Sequence, residues 1–206
     1  MTALFPAATT LPTLLTERLA IRWLEPADAP ALYAVLGDPV VMRYWSTPPL
    51  ASEQDARDFI AGIHKRFAAR DLFQWGIACR DDDRVIGTCT LYRVSLEHRR
   101  GEIGYALGAA HWGRGYAAEA LSALVAFAFD SLDLHRLEAD VDPRNERSLR
   151  LLEGMGFVRE GLLRERYHVN GEVQDTCMLG LLAPEWAERA EGVARDAGRS
   201  WGALAR

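Results

Sequence analysis

Apolar residues recur along this chain at two periods, and each change of period marks an element. Leu19-Ala20-Ile21-Arg22-Trp23-Leu24 alternates at period two and predicts a strand. Pro26 opens a helix over 27–37, which Gly37 and Pro39 stop. Ser52 and Asp55 form an N-cap arrangement for a second helix over 53–69, with Phe59, Ile63 and Phe67 as its apolar stripe. Period two returns in a meander. A strand over 72–80 places Trp75, Ile77 and Cys79 on one face, and Asp81-Asp82-Asp83 turns the chain. The partner strand over 84–94 alternates Val85, Gly87, Cys89 and Leu91, and a further strand follows over 102–107.

After a loop at 111–116, period 3.6 takes over in a helix across 117–130, with Leu121, Leu124, Val125 and Ala128 on one face. A strand over 136–142 turns Leu137, Ala139 and Val141 inward. Asn145 caps a short helix over 146–153 that ends at Gly154 or Gly156. Strands over 157–169 and 172–182 form a hairpin across Asn170-Gly171, a type I′ turn signal. This order predicts a mixed α/β fold with one parallel crossover, not a doubly wound sheet. Residues 1–14 read as a flexible leader, 15–183 as one domain, and 184–206 as a helical C-terminal extension.

Composition narrows the function. Of 206 residues, 49% are hydrophobic and 26% charged, as expected for one globular domain. The net charge of −5 argues against a nucleic-acid partner held by phosphate contacts. Cys79, Cys89 and Cys177 lack metal-ligand spacing, so no metal is expected and buried reduced thiols are. The N-terminus lacks a signal-peptide pattern and no stretch is apolar enough to span a bilayer, so a cytoplasmic location without membrane contact is expected. Exposed aromatics such as Trp45 could mark an interface, and a homodimer stays open.

The chemistry concentrates in Trp112-Gly113-Arg114-Gly115-Tyr116-Ala117. Two glycines one residue apart let successive amides point into one concavity, and the following helix adds its N-terminal amides and dipole. Such a loop suits a diphosphate, with Arg114 adding a charge. A tight turn into a helix would read the same way. Gly113-x-Gly115-x-x-Ala118, with Glu138 following, also fits a loose dinucleotide fingerprint. Against that, five residues, Gly108 to Trp112, separate the strand from the first glycine, Glu138 falls inside a strand, and further βαβ units are lacking.

At this loop the sequence resembles the GNAT N-acetyltransferases, in particular the branch of ribosomal-protein Nα-acetyltransferases. The resemblance runs from about Leu15 to Trp186. It rests on Leu15-Thr16-Glu17-Arg18-Leu19 with Ile21-Arg22, on Glu102-Ile103-Gly104-Tyr105-Ala106-Leu107, on the loop with Glu119-Ala120, and on Asn145-Glu146-Arg147-Ser148 through Gly156-Phe157. Trp112 stands where the wider family has Gln or Arg, and Gly154 where a Lys is common.

The resemblance implies a mostly antiparallel sheet, splayed between the strands at 102–107 and 136–142, with flanking helices. It implies acetyl-CoA as co-substrate and an amine acceptor, either a protein N-terminus or a small molecule. The pantetheine arm would lie in the splay against backbone groups of Ala106 and Leu107, and Asn145 would bond it. Residues 112–117 would hold the diphosphate, with Arg147 and Arg150 near the phosphate end. In the ribosomal-protein branch, the residue types matching Glu160 and Ser148 are the proposed base and acid. Glu102 competes as base, and Tyr167 is a reserve donor. Glu160 precedes Gly161, where a kink would turn the strand toward the cleft.

Direct attack in a ternary complex needs no enzyme nucleophile. About 14% of a peptide α-amine is neutral at pH 7, against about 0.04% of a lysine amine. A site without a buried His or paired acid therefore suits an N-terminal α-amine. A non-catalytic acyl-CoA-binding module would carry the same loop.

Overall fold

The computed structural model describes residues 4–5, 8–169 and 171–189. Among them, eight strands form one sheet in the order β1-β2-β3-β4-β5-β6-β8-β7. These are β1 (Leu14–Leu15), β2 (Leu19–Arg22), β3 (Leu72–Cys79), β4 (Val85–Ser95), β5 (Arg100–Leu107), β6 (Arg136–Val141), β7 (Val158–Val169) and β8 (Glu172–Leu182). Every neighbouring pair is antiparallel except β5–β6. The helices are α1 (Ala29–Leu36), α2 (Glu53–Ala68), α3 (Tyr116–Ala126) and α4 (Glu146–Met155). The mixed α/β architecture expected from the sequence is the one formed.

The helices cover the sheet on both faces. On one, Leu32, Ile60 and Ile63 of α1 and α2 pack against Leu72, Ala78, Val85 and Ala106. On the other, Leu121, Leu124, Leu149 and Leu152 of α3 and α4 pack against Phe73, Trp75, Leu91 and Ile103. A strand between two helical layers has no solvent face. That is why Leu72 through Ala78 are all buried, where the alternation predicted a single inward face.

Local signals set the helix ends. Ser52 accepts a hydrogen bond from the amide of Asp55 at 3.1 Å and starts α2. Gly156, at φ +102°, closes α4, so of the two candidate stops the second is used. Beyond α3 the chain loosens into a π-helical turn over Phe127–Ser131.

The N-terminal end departs from the expectation. The predicted loose leader is packed where it is described: Leu11 is buried, and the Trp75 indole donates to the Pro12 carbonyl at 2.8 Å. At the far end, residues 183–189 are helical. Asn170 of the hairpin turn, and the rest of the predicted terminal helix (190–206), lie outside the described residues. Among the described residues, no helix is long and apolar enough to cross a membrane, and no acidic, histidine or cysteine group could hold a metal.

Candidate active site

The sheet opens where its single parallel pair ends. β5 and β6 pair only at Arg100↔Arg136, Gly101↔Leu137 and Glu102↔Glu138. From Ile103 and Ala139 onward they diverge, and two cavities occupy the gap.

The first cavity, of about 300 Å³, surrounds the glycine loop. Gly113 and Gly115 have φ of +73° and +79°, a region a side chain would strain. Gly115 is also the N-cap of α3 and has no side chain to bond the first-turn amides. Tyr116, Ala117 and Ala118, whose amides begin the helix, line the cavity. Ala106, Leu107, Trp112 and Asn145 line the same space, as expected.

Arg114 does not line it; its carbonyl instead accepts from Arg18 Nη1 at 2.9 Å. Arg147 lies 4.5 Å over the Trp112 ring and lines the cavity, while Arg150 is tied to Glu146 on the surface. The Trp112 indole donates to the Leu107 carbonyl at 2.7 Å, so part of the backbone expected to hold the pantetheine arm is already engaged. His111 also lines the space, but burial and then Arg114 hold its pKa down, so it brings no charge.

The second cavity, of about 400 Å³, lies across the opening. Much of its polar surface comes from the strands, Gln74, Thr90, Tyr92, Asp140, Tyr167 and Gln174 to Thr176, with Asp142 just past β6. Its apolar wall includes Phe59 of α2 and Trp45. Trp45 is half-buried and lines the cleft. Of the first two helices, α2 contributes Phe59 and Arg66 to this lining and α1 none.

The two cavities share Trp45, Tyr105, Asn145 and Ser148. Asn145 caps α4, its Oδ1 accepting from the Ser148 amide at 3.2 Å. Ser148 Oγ and the Tyr105 hydroxyl lie 2.6 Å apart in a hydrogen bond. Burial pushes the Tyr105 phenol up to about 12, partly opposed by Ser148, so it stays protonated and able to donate at neutral pH.

The two expected carboxylates are not brought to this junction. Glu160 lines neither cavity. The kink at Gly161 exists, as a register shift between Arg159 and Gly161, but it aims the carboxylate elsewhere. Glu160 reaches over Gly180 of β8 to Arg136 of β6, whose Nη1 donates at 2.9 Å and whose Nη2 makes the second ion-pair contact. A side chain at Gly180 would collide with both partners, so the missing Cβ permits the pair. Arg136 in turn holds the Glu160 carboxyl below its usual range. Glu102 is 6% exposed and accepts from Arg93 at 3.1 and 3.2 Å.

Sequence reasoning missed Tyr105 and Asp140. Tyr105 lay inside a quoted motif without a role. Asp140 sits on the face opposite the inward Leu137, Ala139 and Val141; the alternation of Glu138, Asp140 and Asp142 was the available signal. Of the three cysteines expected as buried free thiols, Cys89 and Cys177 are buried and Cys79 is half-buried; all three are free.

The acetyltransferase (GNAT) domain family matches residues 18–158. The uncharacterized N-acetyltransferase p20 of Bacillus licheniformis is 40% identical over 85% of this chain and 98% of its own length. Two relatives have named acceptors. The Escherichia coli ribosomal protein uS5-alanine N-acetyltransferase is 28% identical, over 84% of this chain and 92% of its own. The spermidine N(1)-acetyltransferase of Vibrio cholerae is 26% identical, over 86% and 100%. The crystal structure of a GNAT-family acetyltransferase from Bacillus anthracis superposes with a TM-score of 0.74 at 26% identity, covering 83% of this chain and 98% of that one.

Proposed function

The chain belongs to the GNAT acetyltransferase family and is an acyltransferase, and from that premise we propose that it moves an acetyl group from acetyl-CoA directly to the α-amine of a peptide or protein N-terminus. The observation that carries this is the junction of the two cavities at Tyr105, Asn145 and Ser148. A thioester entering from the glycine loop and an amine entering from the other side would meet there, so both substrates react in one complex.

The loop fits the diphosphate through uncapped amides and an open helix N-terminus. Arg147 supplies the cation expected of Arg114. Tyr105 and Ser148 stand where the leaving sulfur would need a donor. The ribosomal-protein branch, supported by the uS5-alanine relative, favours an α-amine.

A second reading, a small polycationic amine, is favoured by Asp140 and Asp175 in the amine-side cavity and by the spermidine relative. Thiol release from acetyl-CoA, measured across N-terminal peptides and small amines, decides between them. Turnover of peptides with free N-termini, lost on N-terminal blocking, supports the first reading. Turnover confined to di- and polyamines replaces it with the second.

A further inference from the structure

The amine-side cavity contains a carboxylate whose described partner differs from those of its neighbours. Asp140 lies on β6, two residues past the last parallel pairing with β5, and so on the flank of the opening. Glu102 is bonded to Arg93, Asp142 to Arg144 and Glu160 to Arg136. Asp140 instead accepts from the neutral hydroxyl of Tyr167.

Tyr167 is aimed there by an irregularity in β7. Five residues of β7, from Leu163 to Tyr167, span the stretch covered by three of β8, from Thr176 to Gln174. Glu165 within this bulge has φ of +53°, and its amide donates to Asp175 Oδ1 at 2.8 Å. A bulge redirects the side chains that follow it, and here the next cavity-lining residue is Tyr167.

We propose that Asp140 accepts the proton of the incoming ammonium, with Tyr167 as the positioning residue that orients the carboxylate. This assignment rests on the acetyl-transfer reading above. Asp140 takes one proton from the ammonium nitrogen and later releases it to water. The freed lone pair forms the C–N bond at the acyl carbon while the C–S bond breaks. The second proton leaves the nitrogen as the amide forms and replaces, on the Tyr105–Ser148 pair, the proton that the pair passes to the departing sulfur. The sum is amide, free thiol and one released proton.

The groups that bear on Asp140 come from each neighbouring element. β4 brings Tyr92 and Arg93, the latter paired with Glu102 of β5. The segment just past β6 brings Asp142, paired with Arg144. β7 brings Arg166 and Tyr167, β8 Asp175, and α2 Arg66, which is paired with Asp71. Burial first, and Asp140 next, raise the Tyr167 phenol, so it remains a donor throughout the neutral range.

The test is the pH dependence of kcat and KM for wild type, D140N and Y167F, using the best acceptor from the amine panel. D140N is expected to lose at least about 10-fold in kcat at pH 7, with KM little changed and a deficit that shrinks as rising pH supplies neutral amine. Y167F keeps the carboxylate and should shift the acidic limb of the profile. A D140N effect confined to KM, or a deficit that is the same at every pH, overturns the assignment. If D140N shows no acetyl-CoA-dependent melting shift, Y167F decides alone, and an unmoved acidic limb overturns it. Absence of wild-type turnover with every amine overturns the acetyl-transfer reading itself and this assignment with it. Wild-type turnover with an unaffected D140N profile overturns this assignment only.

Discussion

Tyr105 and Ser148 come from different elements, β5 and α4, and meet through one 2.6 Å hydrogen bond. Either oxygen could face a leaving thiolate, and each orients the other. Removing one therefore disturbs both. Y105F and S148A are each expected to lower kcat by roughly 10²-fold with little change in acetyl-CoA binding, and the double variant to fall well short of the product of the two losses. Steady-state thiol release on the three variants measures this; fully multiplicative losses would show that the residues act separately. Ser148 was legible in the sequence because it belongs to the Asn145-x-x-Ser148 segment. Tyr105 was not, because its role depends on which face of β5 meets α4. Glu160 lies away from both cavities for a related reason. The bulge could be anticipated from Gly161, but the carboxylate is held by Arg136 of another strand, across the room that Gly180 leaves for the pair.

At the scale of elements, two segments about a hundred residues apart brace the glycine loop. Glu119 in the first turn of α3 accepts from Thr16 Oγ1 at 2.6 Å and from the Arg18 amide at 2.8 Å and its Nε at 2.6 Å. Arg18 also bonds the Arg114 carbonyl and lies 4.5 Å over the Tyr116 ring. Burial opposes ionisation of Glu119, but the Thr16 and Arg18 bonds outweigh it, and its carboxyl lies below the ordinary range. A carboxyl with a depressed folded-state pKa stabilises above its unfolded value and loses that contribution as pH falls through the folded one. E119Q is thus expected to lower the melting temperature by roughly 2–4 °C at pH 7, and the gap to wild type should close below pH ~4. Thermal melts at pH 7 and at acidic pH test both parts. Both segments were visible in the sequence as separate motifs; that they touch follows from β2 lying beside the start of α3.

For the whole molecule, the decisive feature is a sheet covered on both faces and opened along one seam. Covering buries β3 from Leu72 to Ala78 and β4 from Val85 to Leu91, and opening creates two cavities that share lining residues. A ligand that binds the folded state alone raises its stability by mass action. Acetyl-CoA at about a hundred times its dissociation constant should therefore raise the melting temperature by about 5–10 °C, and NAD(H) should leave it unchanged. A shift with NAD(H) and none with acetyl-CoA would reinstate the dinucleotide reading of the loop.

The sequence by itself determined what depends on neighbours along the chain. These are the alternation that marks strands, the caps of α2 and α4, the two glycines at positive φ, and the helix that opens directly after them. The tertiary structure alone decided which side chains share the gap. The end of the β5–β6 pairing, the bare Cβ position at Gly180 and the bulge before Tyr167 bring Asp140 in and send Glu160 away. Such choices depend on contacts between strands remote in sequence, and no local pattern encodes where a side chain must point once its neighbour is another strand.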